Sequence, residues 1–167
     1  METIGKGGIF AAYKTFPYYP QGCLIGQLLD ESCVAAVCRM VLQDDGIEIP
    51  EAYLRNILQT DEQGTLLSNI APILEKMRAK RIYELKMLEN IEKLREKVDL
   101  GLAIVAVKID ENNDLHTIIV DKISDEFLSV RDPLPNGTGK AYQLKIEDFL
   151  PTWFQEKLGK GLAIVVK

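Results

Sequence analysis

The spacing of apolar residues changes once along this chain, near Gly101, and that change limits the folds open to it. Before Gly101, apolar side chains recur three and four positions apart, the period of helices. After it come short β-branched runs parted by turn residues, the period of strands. Helices first and an antiparallel sheet second make an α+β plan. The helix that matters most follows Asp30-Glu31-Ser32, a set of polar cap residues, and runs from Cys33 to Leu42. Val34, Val37 and Val41, with Ala36 and Met40, give it a face wide enough for the centre of a domain. Gly46 is the expected stop.

The remaining elements are shorter. Pro50-Glu51 opens a second helix carrying Ala52, Leu54, Ile57 and Leu58. A third is expected over 66–78, capped by Thr65 or Ser68, and a charged one over 88–98. Strands are expected at 102–109, 116–123, 127–131, 141–144 and 162–166, with a helix at 146–157 before the last. Gly-Leu-Ala-Ile-Val occurs at 101–105 and again at 161–165, but nothing else repeats at that spacing. Two buried central strands built from one vocabulary account for it. Residues 1–22 hold glycines and the run Phe16-Pro17-Tyr18-Tyr19-Pro20, which reads as an extended arm or linker whose tyrosines pack on the domain; residues 23–167 form that domain.

Composition removes several function classes. The chain has 167 residues, one domain's worth, with 47% apolar and 27% charged residues, the balance of a globular protein. Its 25 acidic against 20 basic residues give a net charge of -5, which excludes binding nucleic acid through a general surplus of positive charge. No apolar stretch approaches the ~20 residues that span a bilayer, so no membrane insertion is expected. The N-terminus has no basic region followed by an apolar one, so no secretory signal is expected; a route without a cleaved signal stays open. Cys23, Cys33 and Cys38 are an odd set for a disulfide framework, and with one distant histidine they make a poor zinc pattern. No cofactor is expected.

Cys33 stands where a thiol becomes reactive, at the first turn of a helix whose free amides and dipole favour a thiolate. His116 is the only histidine, so any imidazole chemistry must use it. It opens an expected strand, and Asp132 ends the next one. If those strands pair through a turn at 124–126, His116 and Asp132 become neighbours, and the carboxylate fixes the imidazole tautomer. The Cys33 amide and the Gln27 side chain are the available oxyanion donors. Each residue alone has an ordinary explanation; Cys38 and Cys23 read as small buried hydrophobes. The joint arrangement carries the reading.

These residues resemble the papain-like cysteine peptidase domain of bacteriocin-exporting transporters, which removes leader peptides after a Gly-Gly pair. The resemblance rests on six motifs in order, over about residues 24–154. They are Gln27 six residues before Cys33, the small apolar helix ending at Gly46, Gly64-Thr65-Leu66, the strand His116 to Val120, the turn Asp132-Pro133 to Gly137, and Phe149 to Trp153. It implies a papain-like fold, with a helical half packed on an antiparallel sheet and the site in the cleft between them. It implies Cys33 as nucleophile, His116 as base and acid, Asp132 as orienter and Gln27 in the oxyanion hole. The family usually has Asp-Cys-Gly at the nucleophile, where this chain has Ser32-Cys33-Val34, and Val34 is expected to add bulk beside the cleft.

The family's peptidase usually leads into membrane helices and an ATPase, and this chain has neither, nor a Gly-x-x-x-x-Gly-Lys-Ser/Thr loop. It reads as an excised domain or a stand-alone enzyme. The expected activity is cleavage of a protein or peptide after Gly-Gly, first as a toxin or effector domain on a bacterial cytosolic target, next in leader-peptide maturation. The setting is then cytoplasmic, or secretion within a larger effector that acts in the target-cell cytosol. Glutamine deamidation or acyl transfer at the same thioester, and a docking module without catalysis, are the rival classes. A toxin implies a cognate immunity protein over the cleft. Gly7-Gly8 is either a flexible linker or a self-cleaved site.

Overall fold

The computed structural model describes residues 10, 13–77, 81–108, 115–155 and 160–167. Gly7-Gly8, the 110–114 turn and residues 156–157 of the expected 146–157 helix lie outside them; that helix stops at Trp153, because Phe154 and Gln155 pair as a strand with Gly161 and Lys160. The elements in chain order are β1 (Thr15–Pro17), α1 (Cys33–Asp44), α2 (Glu51–Ile57), a 3-10 turn (Leu67–Asn69), α3 (Ile70–Lys76), β2 (Tyr83–Leu88), α4 (Ile91–Val98), β3 (Leu102–Lys108), β4 (Leu115–Ile123), β5 (Phe127–Asp132), β6 (Lys140–Lys145), α5 (Ile146–Trp153), β7 (Phe154–Gln155) and β8 (Lys160–Val166).

Among the described residues, eight strands form one antiparallel sheet in the order β1-β6-β5-β4-β3-β8-β2, with β7 also on β8. Both faces of the sheet are covered. Leu102, Ile104, Ile119 and Ile164 face α1, α2 and α3, while Ala103, Val105, Val107, Ile118 and Val120 face α4 and α5. A strand buried on both sides needs no polar alternation, which is why 102–107 is unbroken apolar sequence. The two Gly-Leu-Ala-Ile-Val copies are neighbours here, with Ile104 opposite Ile164 and Val105 opposite Ala163. A Cβ on Gly161 would lie 2.2 Å from the Trp153 indole, so close packing holds that position to glycine.

Helix α1 is buried along nearly its whole length, including Val34, which sits in the core between α1 and the sheet. Its start departs from the expected cap. The Ser32 hydroxyl bonds the Leu29 carbonyl and accepts the Leu29 amide, so no side chain caps the first turn. Gly46, with φ at +82°, donates to the Gln43 carbonyl and ends the helix as the sequence implies. The third expected helix begins as a 3-10 turn, and neither Thr65 nor Ser68 caps it; Leu66 and Asn69 precede its two parts. The charged helix starts at Ile91, capped by Asn90 onto the Lys93 amide, because Leu88 closes a strand that the sequence reading lacked. The arm contributes β1, which pairs Thr15–Pro17 with β6; Tyr18 reaches Asp121, whereas Tyr19 is exposed.

The far end of α1 is fastened by Arg131 of β5. Its guanidinium is 1% exposed and donates to both Asp121 oxygens, to Asp44 at the end of α1 and to the Cys23 carbonyl. Asp121 reaches it from a bulge in the β4–β5 ladder. A buried charge is tolerable only when paired and hydrogen-bonded, as this one is. Arg131→Met strands two carboxylates beside an apolar side chain and is expected to cost about 3–5 kcal/mol. Urea unfolding of the variant against the parent chain measures it.

Candidate active site

The β4–β5 hairpin turns at Ser124 to Phe127 and runs antiparallel, as the spacing implies. It brings the end of β5 back beside the start of β4. His116 Nε2 lies 2.7 Å from Asp132 Oδ1, and both side chains are buried. Cys33, at the first position of α1, lies across the helix–sheet boundary near enough to His116 for each to shift the other's ionisation. Asp132 occupies Nε2, which leaves Nδ1 for the sulfur. Cys38 is buried one turn further along α1 and takes no part.

Asp132 is fixed on every side. Oδ1 also accepts the Leu134 amide at 2.9 Å, and Oδ2 accepts the Tyr142 hydroxyl at 2.7 Å. Sequence reasoning did not single out Tyr142. The signal lies in the strand register: β5 and β6 pair Val130 with Tyr142 and Asp132 with Lys140. Tyr142 is therefore a diagonal neighbour of Asp132 on one face, within reach of a long aromatic side chain. Thr117 was missed as well. The Cys33 thiol contacts its hydroxyl oxygen at 3.8 Å.

Gln27 is buried in the loop before α1. Its backbone N–H donates to the Pro133 carbonyl and its carbonyl accepts the Gly137 N–H, so the loop after Asp132 clamps it. Gly26 permits this contact, since a Cβ there would lie 2.3 Å from the Thr138 nitrogen. The buried Glu51 carboxylate at the start of α2 accepts the next amide, that of Leu28. The Gln27 side-chain amide donates to the Leu29 and Asp30 carbonyls at 2.8 and 3.1 Å, and its Oε1 is buried without a partner. Cys33, His116 and Asp132 are thus brought together, with His116 and Asp132 hydrogen-bonded; Gln27 is held close in sequence but bonds to none of the three among the described residues.

Burial opposes charge on both reacting groups, but their partners outweigh it. The Asp132 charge and hydrogen bond, with Cys33 alongside, raise His116 to about 10. The hydrogen bond and charge of His116, aided by Thr117, hold the Cys33 thiol below its ordinary range. Each partner thus favours the charged form of the other. Gln21, Gly22, Tyr18 and Tyr19 line a different cleft, of about 580 Å³, that includes Asp44 and Arg131. The rise of α1 puts it about 16 Å from the thiol. Among the described residues no cluster of His, Cys, Asp and Glu is arranged to hold a metal ion.

Comparison with known proteins follows the same residues. The sequence profile of the Peptidase C39 family matches residues 24–158. The peptidase domain of Streptococcus ComA, a bifunctional ABC transporter of a quorum-sensing pathway, superposes with a TM-score of 0.65 at 24% identity, over 86% of this chain and 96% of that one. A double-glycine motif protease from an AMS/PCAT transporter, solved with its leader peptide, superposes with a TM-score of 0.67 at 17% identity, over 92% and 96%. A C39-like peptidase from Bacillus anthracis gives 0.58 at 16% identity, over 91% and 98%. No curated protein sequence matches the chain significantly.

The charge pairing has a measurable sign. Alkylation of Cys33 by iodoacetamide is expected to stay fast below the ordinary thiol range, because the thiolate persists there. Asp132→Asn removes the charge that holds His116 protonated, so the alkylation profile is expected to move up towards that range. The rate against pH for both proteins tests this; coincident profiles contradict it.

Proposed function

The chain belongs to the Peptidase C39 family, a family of cysteine peptidases, and from that premise we propose that it is an endopeptidase that cuts a protein or peptide after a Gly-Gly pair. The observation that carries the reading is the buried His116–Asp132 pair beside Cys33, whose sulfur at the start of a buried helix lies 3.8 Å from the Thr117 hydroxyl. In this mechanism the Cys33 thiolate attacks the carbonyl carbon of the second glycine. Negative charge moves to the carbonyl oxygen, where the uncapped Cys33 amide of α1 stabilises it. Gln27 adds a second donor once one of its amide hydrogens leaves a loop carbonyl, the longer bond to Asp30 being the weaker.

His116 Nδ1–H then protonates the leaving amine, which departs and leaves a thioester. The neutral imidazole takes a proton from water, hydroxide attacks the thioester, and the carboxylate product leaves as the thiolate re-forms. Asp132 holds Nε2–H throughout and keeps Nδ1 aimed at the sulfur. A groove closed over two glycines rejects any Cβ sterically, which gives the Gly-Gly preference a physical basis.

Two settings fit this chemistry. One similar solved structure is a double-glycine motif protease with a leader peptide bound, which favours leader-peptide maturation. Action as a toxin or effector domain on a bacterial cytosolic protein, countered by an immunity protein over the cleft, is the other.

The test is incubation of the purified protein, beside Cys33→Ala, with a bacterial cytosolic lysate and with synthetic peptides containing an internal Gly-Gly pair. New N-termini after Gly-Gly that vanish in the variant are expected. Cuts confined to the peptides indicate leader maturation, and cuts in one or two lysate proteins indicate an effector. A Cys33-dependent mass gain of about one dalton without chain breakage replaces the reading with deamidation, which uses the same thioester. Gln27→Ala is expected to lower kcat by about 100- to 1000-fold, the loss typical of one oxyanion donor. An unchanged kcat removes Gln27 from the reaction.

A further inference from the structure

Strand β2 ends the sheet on the side away from the site, with β8 on one flank and no strand among the described residues on the other. Its outward groups follow from the ladder. Ile82 and Lys167 exchange both backbone hydrogen bonds, so 84 with 165, 86 with 163 and 88 with 161 are the bonded pairs that follow. The N–H and C=O groups of Tyr83, Leu85 and Met87 therefore point away from β8, on the flank where no described strand pairs. Folded chains commonly blunt such an edge with charged side chains, proline or a bulge, and the only charges on this one, Glu84 and Lys86, are of opposite sign. This one is six residues long, continuous in register and free of proline. It also exposes apolar side chains, with Ile82 59% and Leu85 and Met87 each 41% exposed.

The order of side chains selects an occupant. In an antiparallel pairing of β2 with a second copy of itself, only odd residues can exchange bonds across the new seam. Centred on Leu85, the pairing sets Leu85 opposite Leu85 and Tyr83 opposite Met87, making six backbone hydrogen bonds. Glu84 then faces Lys86 of the other copy, twice. Sliding two residues one way sets Glu84 against Glu84, and sliding the other way sets Lys86 against Lys86. Opposite charges directly across an antiparallel pair stabilise it and like charges oppose it. One register is therefore favoured and its two neighbours are penalised. Glu84 and Lys86 are half-exposed and already 3.3 Å apart within one chain, so both are free to exchange partners.

We propose that β2 is the interface of a two-fold dimer in which two copies of the chain join their sheets edge to edge, in the register that sets Glu84 opposite Lys86. The new seam lies three strands from β4, which carries His116, so both sites stay open.

Sedimentation velocity over a range of concentrations, from micromolar to near millimolar, tests it. The wild-type chain is expected to move from monomer towards twice the monomer mass. Glu84→Lys and Lys86→Glu each place like charges together and are expected to stay monomeric over the same range. The double swap, Glu84→Lys with Lys86→Glu, restores the complement and is expected to recover the dimer. Leu85→Pro removes an outward N–H without breaking a bond to β8 and is expected to prevent association while leaving peptidase activity in place. Hydrogen exchange adds an independent reading, with the Leu85 amide protected only in the dimer. A wild-type chain that is monomeric at every concentration overturns the proposal. A dimer that survives Glu84→Lys and Leu85→Pro places the interface elsewhere, and a double swap that stays monomeric overturns the register.

Discussion

The buried carboxylate of Asp132 is the point on which the site turns. It ends β5, and each bond it accepts ties down a different piece of chain: His116 from β4, Tyr142 from β6 and the Leu134 amide from the following loop. A carboxylate without these donors would be costly at full burial. With them, it fixes the imidazole that faces Cys33. The loop it anchors also holds Gln27 through Pro133 and Gly137, so one residue sets the places of the base and of a candidate oxyanion donor.

Helix α1 completes the arrangement because both its ends are fixed. At its C-terminal end, Asp44 is gripped by Arg131, which also holds Asp121 in the bulge of β4. At its N-terminal end, the Ser32 hydroxyl serves the Leu29 turn instead of the helix, leaving first-turn amides beside the sulfur. The thiol can then sit at a positive helix end while the rest of the helix is packed in apolar core. Stability and chemistry use the same device, a buried charge with every partner in place, at opposite ends of one element.

Much of this was legible in the sequence. The change of period at Gly101 indicated the α+β plan, and the hairpin turn at 124–126 indicated that His116 and Asp132 meet. Strand β2 was not legible: Tyr83 to Leu88 mixes Glu84 and Lys86 with apolar residues at a sheet edge, where only the ends are buried. Its pairing with β8 depends on contacts about eighty residues apart. The helices carry no mark of which sheet face they cover, so the split of α4 and α5 from α1 to α3 also needed the tertiary structure. Tyr142 and Thr117 became visible only once register and packing put them beside Asp132 and Cys33. Ser32 shows the reverse case, a residue with ideal cap chemistry that a neighbouring turn uses instead.

The central claim is a charge state: the imidazole is protonated at neutral pH because Asp132 outweighs its burial. Since His116 is the only histidine in the chain, its ring nitrogens can be followed by NMR in the intact protein without assignment. The account predicts an imidazolium at pH 7 that loses its proton well above the ordinary imidazole value, towards about 10. A neutral imidazole at pH 7, titrating near the ordinary value of about 6.5, would contradict it.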